Sequence, residues 1–137
     1  MLALANKIAI VTGASSGIGR ATAKLFADEG AKLVVAARRQ AELDTLVAEI
    51  SGADGTAIAL AGDVRDEAYA KALVDLAVES FGGLDIAFNN AGAVGLMAPL
   101  PDMMPKTWHE TMDINLTSAF LGAKYRYRPC WSAVAAR

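Results

Sequence analysis

The stretch Thr12–Gly19, which reads T-G-A-S-S-G-I-G, decides the fold of this chain. It follows Lys7–Val11, a short apolar run typical of a buried strand, and it leads into apolar residues at helical spacing. Gly13 can adopt backbone angles that other residues avoid, Gly17 leaves space for a ligand, and Gly19 lets the helix approach the strand closely. The stretch therefore predicts a tight turn between a strand and a helix.

The helix after this turn would present its N-terminus to an anion. Unpaired N–H groups and the helix dipole attract a phosphate at such a terminus. The hydroxyls of Ser15 and Ser16 add hydrogen-bond donors, and Ile18 is the first apolar residue of the helix. The strand, turn and helix together predict a phosphate site, and a tight turn without a ligand is the alternative.

Length and composition limit the class of protein. The chain has 137 residues, 54% hydrophobic and 20% charged, which fits one folded domain with a core. Its net charge of −2 favours neither a nucleic acid partner nor an anionic membrane, and no apolar run is long enough to span a bilayer. The single cysteine, Cys130, excludes an internal disulfide and a cysteine metal cluster. With no signal peptide at its start, we expect a cytoplasmic protein without a metal site.

Strand and helix patterns alternate along the rest of the chain. Apolar runs at Lys32–Ala37, Thr56–Ala61 and Leu84–Phe88 predict three further strands, with helical spacing between them. Such alternation implies right-handed crossovers and a parallel sheet. We therefore expect an α/β fold, a Rossmann-like doubly wound sheet that is incomplete, with about four strands in the order 3-2-1-4 and flanking helices. A ligand crevice should open beyond the carboxyl ends of strands one and four.

Three further features belong to this pattern. Asp66 is expected to cap the third helix, and Pro105 to begin the helix after the loop Ala93–Asp102. That loop is interpreted as an irregular connection, with a substrate-lining role as the alternative. The residues expected to pack inward beyond it are Trp108, Met112, Ile114 and Leu116.

Four stretches match one enzyme family in order and spacing. They are Thr12–Gly19, Asp63-Val64, Asn89–Gly92 and Asn115, and through them residues 7–125 resemble the short-chain dehydrogenases/reductases. The resemblance implies hydride transfer between a nicotinamide cofactor and a small carbonyl or alcohol substrate. It also implies that residues 1–125 are the N-terminal part of an NAD(P)-binding domain.

The resemblance assigns a role to each later motif. Asp63 and Val64 would flank the adenine ring, whose amino group donates to the carboxylate, with a turn or cap role for Asp63 as the alternative. Asn89–Gly92 would lie beside the cofactor ribose and the central sheet, or serve structure alone, above all at Asn90. The backbone carbonyl of Asn115 would order a water in a proton relay, or Asn115 would be a buried bridge between helix and strand.

The end of the second strand bears on the choice of dinucleotide. Ala37 stands where NAD-preferring relatives carry Asp, and Arg38 and Arg39 follow it. Arginine can fork onto a 2′-phosphate, so we expect NADP rather than NAD, with two solvated arginines at a helix start as the alternative. The cofactor-binding residues expected in all are Gly13, Ser15, Ser16, Gly17, Ile18, Gly19, Arg38, Arg39, Asp63, Val64, Asn89, Ala91 and Gly92.

The proton-transfer residues of the family have no match in this sequence. The family reaction uses a Tyr with a Lys four residues later and a Ser upstream. None of Tyr69, Tyr125 and Tyr127 has a Lys at that spacing, so the Ser, Tyr and Lys would lie beyond Arg137. Of the catalytic residues only Asn115 is present. We therefore expect a truncated and inactive chain.

Residues 126–137 look foreign to the helix before them. Arg126–Trp131 shows no apolar face. Permitted codons read in a shifted frame from Arg126 give Ile-Pro-Ala-Met-Leu-Glu-Arg-Gly-Gly-Gly-Ser, in which only the Leu is forced. This string resembles the continuation of the family, in which Pro-x-Met precedes a glycine-rich turn. The hypothesis is that a frameshift or a sequencing error produced an aberrant tail.

Two other functional classes and one association state stay open. A non-catalytic dinucleotide-binding module and a Rossmann-like methyltransferase are the alternatives to an oxidoreductase. Strand four should present an unpaired edge, and the helix containing Asn115 should expose an apolar face. We therefore expect self-association or a homo-oligomer.

Overall fold

The computed structural model describes residues 1–135, with side chains as far as residue 127, and its centre is a parallel sheet. The strands are β1 (Ile8–Thr12), β2 (Lys32–Ala37), β3 (Thr56–Ala61) and β4 (Ile86–Phe88). They are hydrogen-bonded in the order β3-β2-β1-β4, and all pairs are parallel. The predicted fold class and strand order are confirmed.

Helices cover both faces of this sheet. The α-helices of the described chain are α1 (Gly17–Asp28), α2 (Gln40–Gly52), α3 (Glu67–Phe81), α4 (Pro105–Met112) and α5 (Ser118–Ala135). The Asp66 carboxylate accepts a hydrogen bond from the Ala68 backbone N–H at 2.9 Å, which confirms the predicted cap of α3. Pro105 begins α4, also as predicted. Within residues 1–135, no helix combines the length and the apolar character that a membrane crossing needs.

The core has two layers because alternate side chains of a strand point to opposite faces. On β1, Ala9 and Val11 pack against α1 and α2, while Ile8 and Ile10 pack toward α3. Ile10 is fully buried, and burial of such a side chain stabilises the fold by about 1.5–3 kcal/mol. Both faces are therefore apolar along β1, as its continuous apolar run in the sequence requires.

Two strand boundaries differ from the sequence prediction. β1 is shifted one residue toward the C-terminus and includes Thr12, which is buried at its end. β4 begins at Ile86 rather than Leu84. Just before β4, the Asp85 carboxylate accepts from the Ile8 backbone N–H at 3.0 Å, and the Asp85 backbone N–H donates to the Ile8 carbonyl at 2.9 Å.

The inward packing expected beyond the loop is wrong for two of its four residues. Trp108 and Leu116 are 55% and 59% exposed, whereas Met112 and Ile114 are half-buried. The physical reason is that α5 packs against α3, while α4 contacts chiefly the π-helical segment Asp113–Thr117 that follows it. A short helix without a partner layer leaves its apolar side chains exposed.

The predicted boundary between residues 125 and 126 is not marked by a break in the backbone. α5 continues through Arg126 to Ala135, and the Arg126 side chain is buried. Ala136 and Arg137, the last residues of the expected tail, lie outside the described residues, as do the side chains of residues 128–135. The foreign origin of the tail stays a hypothesis.

Substitution of Gly19 tests the close approach of α1 to the strands. A Cβ at Gly19 would lie 2.3 Å from the Gly13 carbonyl oxygen and 2.5 Å from Asn90 Nδ2. Gly19→Ala should therefore lower the free energy of unfolding by about 1–3 kcal/mol, measured by urea denaturation. The matched control is Gly52→Ala, because a Cβ there meets no atom within 4 Å, and its effect should be neutral or slightly stabilising. Equal losses in the two variants would contradict this account.

Candidate functional site

A crevice of about 350 Å³ opens at the carboxyl ends of the strands. Its walls come from the turn after β1, the ends of β2 and β3, the segment after β4 and Ile114 of the π-helical segment. The predicted site residues that line it are Gly13, Ser15, Ser16, Arg38, Arg39, Asp63, Val64, Ala91 and Gly92. The structure thus brings together residues that are distant in the sequence, at the edge where parallel α/β sheets bind ligands.

The other predicted site residues lie around this crevice rather than in its wall. Gly17 and Ile18 form the start of α1, where Ile18 is 73% exposed. Gly19 is buried behind the turn. Asn89 and Asn115 line a smaller cavity of about 30 Å³ between β1, α3 and α5. These five residues are therefore not part of the crevice wall.

The glycine turn has the backbone that an anion site needs. Gly13 and Gly17 have φ angles of +66° and +54°, in the left-handed region that favours glycine. A Cβ at Gly17 would meet no atom within 4 Å, so the space before α1 is open. Ser16 precedes α1 without a side-chain cap hydrogen bond, which leaves its hydroxyl available. The free N–H groups of the first turn of α1 and its dipole then favour a phosphate.

A side-chain network ties the turn after β4 to the glycine turn. Thr12 Oγ1 accepts from the backbone N–H groups of Asn90 and Ala91, both at 3.1 Å. Asn90 Nδ2 donates to the carbonyls of Thr12 at 3.2 Å and Gly13 at 3.4 Å. These contacts agree with the structural role weighed for Asn90. Thr12 opens the glycine-rich stretch but was not among the expected binding residues, and this contact gives it a structural role at the site.

The two arginines after β2 differ in the contacts that their side chains make. Arg39 donates through Nη2 to Ser15 Oγ at 3.4 Å and pairs through Nη1 with Glu42 at 3.3 Å. Arg38 is exposed and makes no hydrogen bond to any residue in the described part of the chain. Its guanidinium is therefore the more available of the two for an anion in the crevice.

Asp63 is held by Arg65, a residue that the sequence analysis missed. Arg65 Nε donates to both carboxylate oxygens at 3.0 Å, and Nη2 donates to Oδ2 at 2.5 Å. These hydrogen bonds are the main reason why the pKa of Asp63 is lowered, with a further contribution from the charge of Arg38. An Asp-x-Arg spacing in the turn after a strand allows this pair but does not by itself predict it. The carboxylate is thus ionised and fixed on the wall of the crevice.

Asn115 fastens the segment after β4 to the helical layer. Its Nδ2 donates to the carbonyls of Ala93 at 2.7 Å and Thr111 at 2.9 Å, and its Oδ1 accepts from the Ala93 N–H at 3.2 Å. The residue is exposed and bridges a helix to a loop, so the alternative of a buried bridge to a strand is wrong in both respects. It lies in the π-helical segment, and such segments are frequent at functional sites.

Comparison with known proteins gives consistent matches over nearly the whole chain. The sequence model of the family described as short chain dehydrogenase matches residues 7–129. An uncharacterized oxidoreductase of Listeria monocytogenes is 43% identical over 121 residues, which are 88% of this chain and 48% of that protein. A cyclohexanol dehydrogenase of Acinetobacter is 37% identical over 120 residues, which are 88% and 48% of the two chains.

A solved structure agrees with these sequence matches. The crystal structure of a 3-ketoacyl-ACP reductase from Sinorhizobium meliloti 1021 superimposes with a TM-score of 0.89 at 40% identity. The match covers 92% of this chain and 49% of that one. The chain spans about half the length of the curated relatives it matches.

Removal of Arg65 tests the electrostatics of the crevice. Because hydrogen bonds from Arg65 lower the pKa of Asp63, Arg65→Ala should raise that pKa toward the ordinary value of about 3.9, measured by carboxyl ¹³C NMR titration. The stabilisation from a lowered pKa is present above the ordinary value and is lost as pH falls through the folded value. Wild type should therefore lose stability at acid pH through this group, and the variant should not.

The internal control for this titration is Glu67. Its pKa is lowered by Lys124 and Tyr125, which Arg65→Ala leaves in place. The two carboxylates are read in the same spectra. An unchanged Asp63 pKa in the variant, or an equal change at Glu67, would contradict the assignment.

Proposed function

This chain belongs to the short-chain dehydrogenase family, and from that premise we propose that its crevice binds NADP(H) for hydride transfer to or from a small carbonyl or alcohol substrate. The observation that carries the proposal is the meeting of the glycine turn, Arg38 and Asp63 in one crevice at the carboxyl ends of parallel strands. The family membership leaves no room for the methyltransferase alternative. A cytoplasmic location, expected from the cysteine content, is part of the proposal.

The residues of this chain fit a dinucleotide in three places. The open space at Gly17 and the N-terminus of α1 suit the diphosphate. The Asp63 carboxylate suits the amino group of adenine, and the neighbouring Val64 N–H suits a ring nitrogen. Arg38, which lines the crevice and whose side chain has no hydrogen-bond partner among the described residues, suits a 2′-phosphate. The bound cofactor supplies the hydride chemistry.

What the chain itself does is bind and orient. Thr12 and Asn90 hold the turn after β4 against the glycine turn, so the ribose side of the site has a fixed backbone. The side chain of Asn115 holds the Ala93 carbonyl. The backbone carbonyl of Asn115, in the π-helical segment, would hold a water of the proton relay. Residues 1–137 contain no Tyr-x-x-x-Lys, so these residues taken alone also fit a second candidate, a dinucleotide-binding module without turnover of its own.

The cofactor preference is tested by binding. NADPH should bind about tenfold or more tightly than NADH, since a hydrogen bond to a charged group contributes ~1.5–3 kcal/mol. Arg38→Ala should remove most of this difference in titrations that follow nicotinamide fluorescence. Arg39→Ala should have a smaller effect because Arg39 is engaged by Ser15 and Glu42.

Lys71→Ala is the matched control for this titration, because it removes one exposed positive charge that pairs with Asp75 on α3. It should leave the ratio of the two affinities unchanged. Equal affinities for NADPH and NADH in the unchanged chain would refute the preference.

The chain of 137 residues should bind the dinucleotide without turnover. A missing general acid alone costs about 10²–10⁴ in rate. Absorbance of NADPH at its nicotinamide band should stay constant with aldehydes and ketones, cyclohexanone included. Carbonyl reduction at an enzyme-like rate that Asn115→Leu abolishes would show the chain to be active as it stands.

The chain should associate with a second copy of itself. Leu116 and Phe120 are 59% and 62% exposed, and β4 is an edge of the described sheet. Light scattering should give a mass above that of the monomer, and the double variant Leu116→Ser, Phe120→Ser should lower it. The matched control is Leu25→Ser on α1, another exposed leucine, at 58% exposure. A monomer in the unchanged chain would contradict this expectation.

A further inference from the structure

The carboxylate of Glu42 pairs with one of the two arginines that line the crevice. Glu42 Oε1 lies 3.3 Å from Arg39 Nη1, and the two side chains are 45% and 60% exposed. Arg39 also donates through Nη2 to Ser15 Oγ at 3.4 Å. Arg39 and Ser15 belong to the crevice wall, whereas Glu42 does not. The guanidinium of Arg39 is therefore shared between a hydroxyl of the crevice and a carboxylate outside it.

We propose that Glu42 is a specificity-determining residue that limits the preference for NADPH over NADH, because its carboxylate competes with the 2′-phosphate for Arg39. The inference rests on the proposed function, since it needs the 2′-phosphate to lie at the end of β2. Arg38 then supplies most of the preference of the unchanged chain. Loss of the Glu42 charge should raise the affinity for NADPH through Arg39 and leave the affinity for NADH nearly unchanged.

The start of α2 brings this pair together. The helix begins at Gln40, so Arg39 is the residue before its first turn and Glu42 lies within that turn. Side chains three residues apart at a helix meet on one face, and a negative charge is favoured at a helix N-terminus. Arg20 Nη1 donates to the Glu42 carbonyl at 3.4 Å, which joins α1 to the same turn. The fold thus holds the Glu42 carboxylate beside Arg39.

A carboxylate and a phosphate use the same donors of a guanidinium. Both anions accept pairs of parallel N–H groups from arginine. Nη1 of Arg39 donates to Glu42, and Nη2 donates to Ser15. A 2′-phosphate that takes both terminal nitrogens must therefore displace the carboxylate of Glu42. An exposed ion pair of this kind shifts an equilibrium by up to about fivefold, which is measurable in a binding constant.

A second carboxylate on α2 differs from Glu42 in what it contacts. Asp44 Oδ1 accepts from Gln40 Nε2 at 2.7 Å, and no hydrogen bond joins Asp44 to Arg39. Asp44 is exposed and, like Glu42, is not part of the crevice wall. The two acidic residues therefore separate the effect of the contact with Arg39 from the effect of one negative charge on the same helix.

The experiment compares two dinucleotides that differ only in the 2′-phosphate. NADPH and NADH are titrated into the chain at low ionic strength, with nicotinamide fluorescence as the signal. Glu42→Gln, which keeps the shape of the side chain, should raise the affinity for NADPH by about threefold or more and change that for NADH by less than about twofold. The gain should shrink as salt is added, because exposed charges are then screened.

The same substitution in an Arg39→Ala background shows whether the effect passes through Arg39. There, Glu42→Gln should change the affinity for NADPH by less than about twofold. A gain of the same size as in the unchanged background would mean that Glu42 acts on the phosphate by its own charge, and would overturn the inference. Asp44→Asn is the matched control and should leave the ratio of the two affinities unchanged. An equal gain in Asp44→Asn would also overturn the inference.

Failure of this inference can be told apart from failure of the proposed function. If the unchanged chain binds neither dinucleotide, the proposed function fails and the inference fails with it. If NADPH binds but Glu42→Gln leaves the ratio of the two affinities as it was, this inference alone is overturned.

Discussion

The contact on which the rest of this structure depends is the junction of the glycine turn with the end of β4. Asn90 donates to the Thr12 and Gly13 carbonyls, and Thr12 Oγ1 accepts from the turn that contains Asn90. Gly19 lets α1 reach this junction, because no Cβ fits between it and the Gly13 carbonyl. The floor of the crevice therefore lies where the chain leaves the neighbouring strands β1 and β4, which is where open α/β sheets place their ligands.

Charge then divides the crevice into regions of different chemistry. Arg38 and Arg39 form a basic end after β2, whereas after β3 the carboxylate of Asp63 is paired with the guanidinium of Arg65. The ion pairs of Arg39 with Glu42 and of Arg65 with Asp63 are partly exposed, so each adds little to the stability of the fold. Their charges matter chiefly as the surface that the crevice presents to a ligand. The network at Asn115 is separate and governs how the segment after β4 meets the helical layer.

The spacing of apolar residues and the residue types in the turns were enough to predict the strand order, the cap at Asp66 and most residues of the crevice wall. Local patterns failed where a partner decided the outcome. Trp108 has the apolar character of a core residue but is 55% exposed, and β4 begins at Ile86, after Asp85, whose carboxylate accepts from the Ile8 backbone N–H. Arg65 was missed because its role comes from an orientation toward Asp63 that spacing alone does not specify. The burial of residues in periodic strand and helix patterns could be predicted from the sequence. The contacts of residues whose neighbours come from distant segments could not.

The central claim is that a dinucleotide lies along this crevice with its diphosphate at the glycine turn. Amide chemical-shift mapping of the ¹⁵N-labelled chain during titration with NADPH tests it most directly. The account predicts the largest shifts at residues 13–19, 38–39 and 63–65, with small shifts on the outer faces of α2 and α3. Shifts that leave the glycine turn unaffected and concentrate between residues 94 and 111 would contradict it.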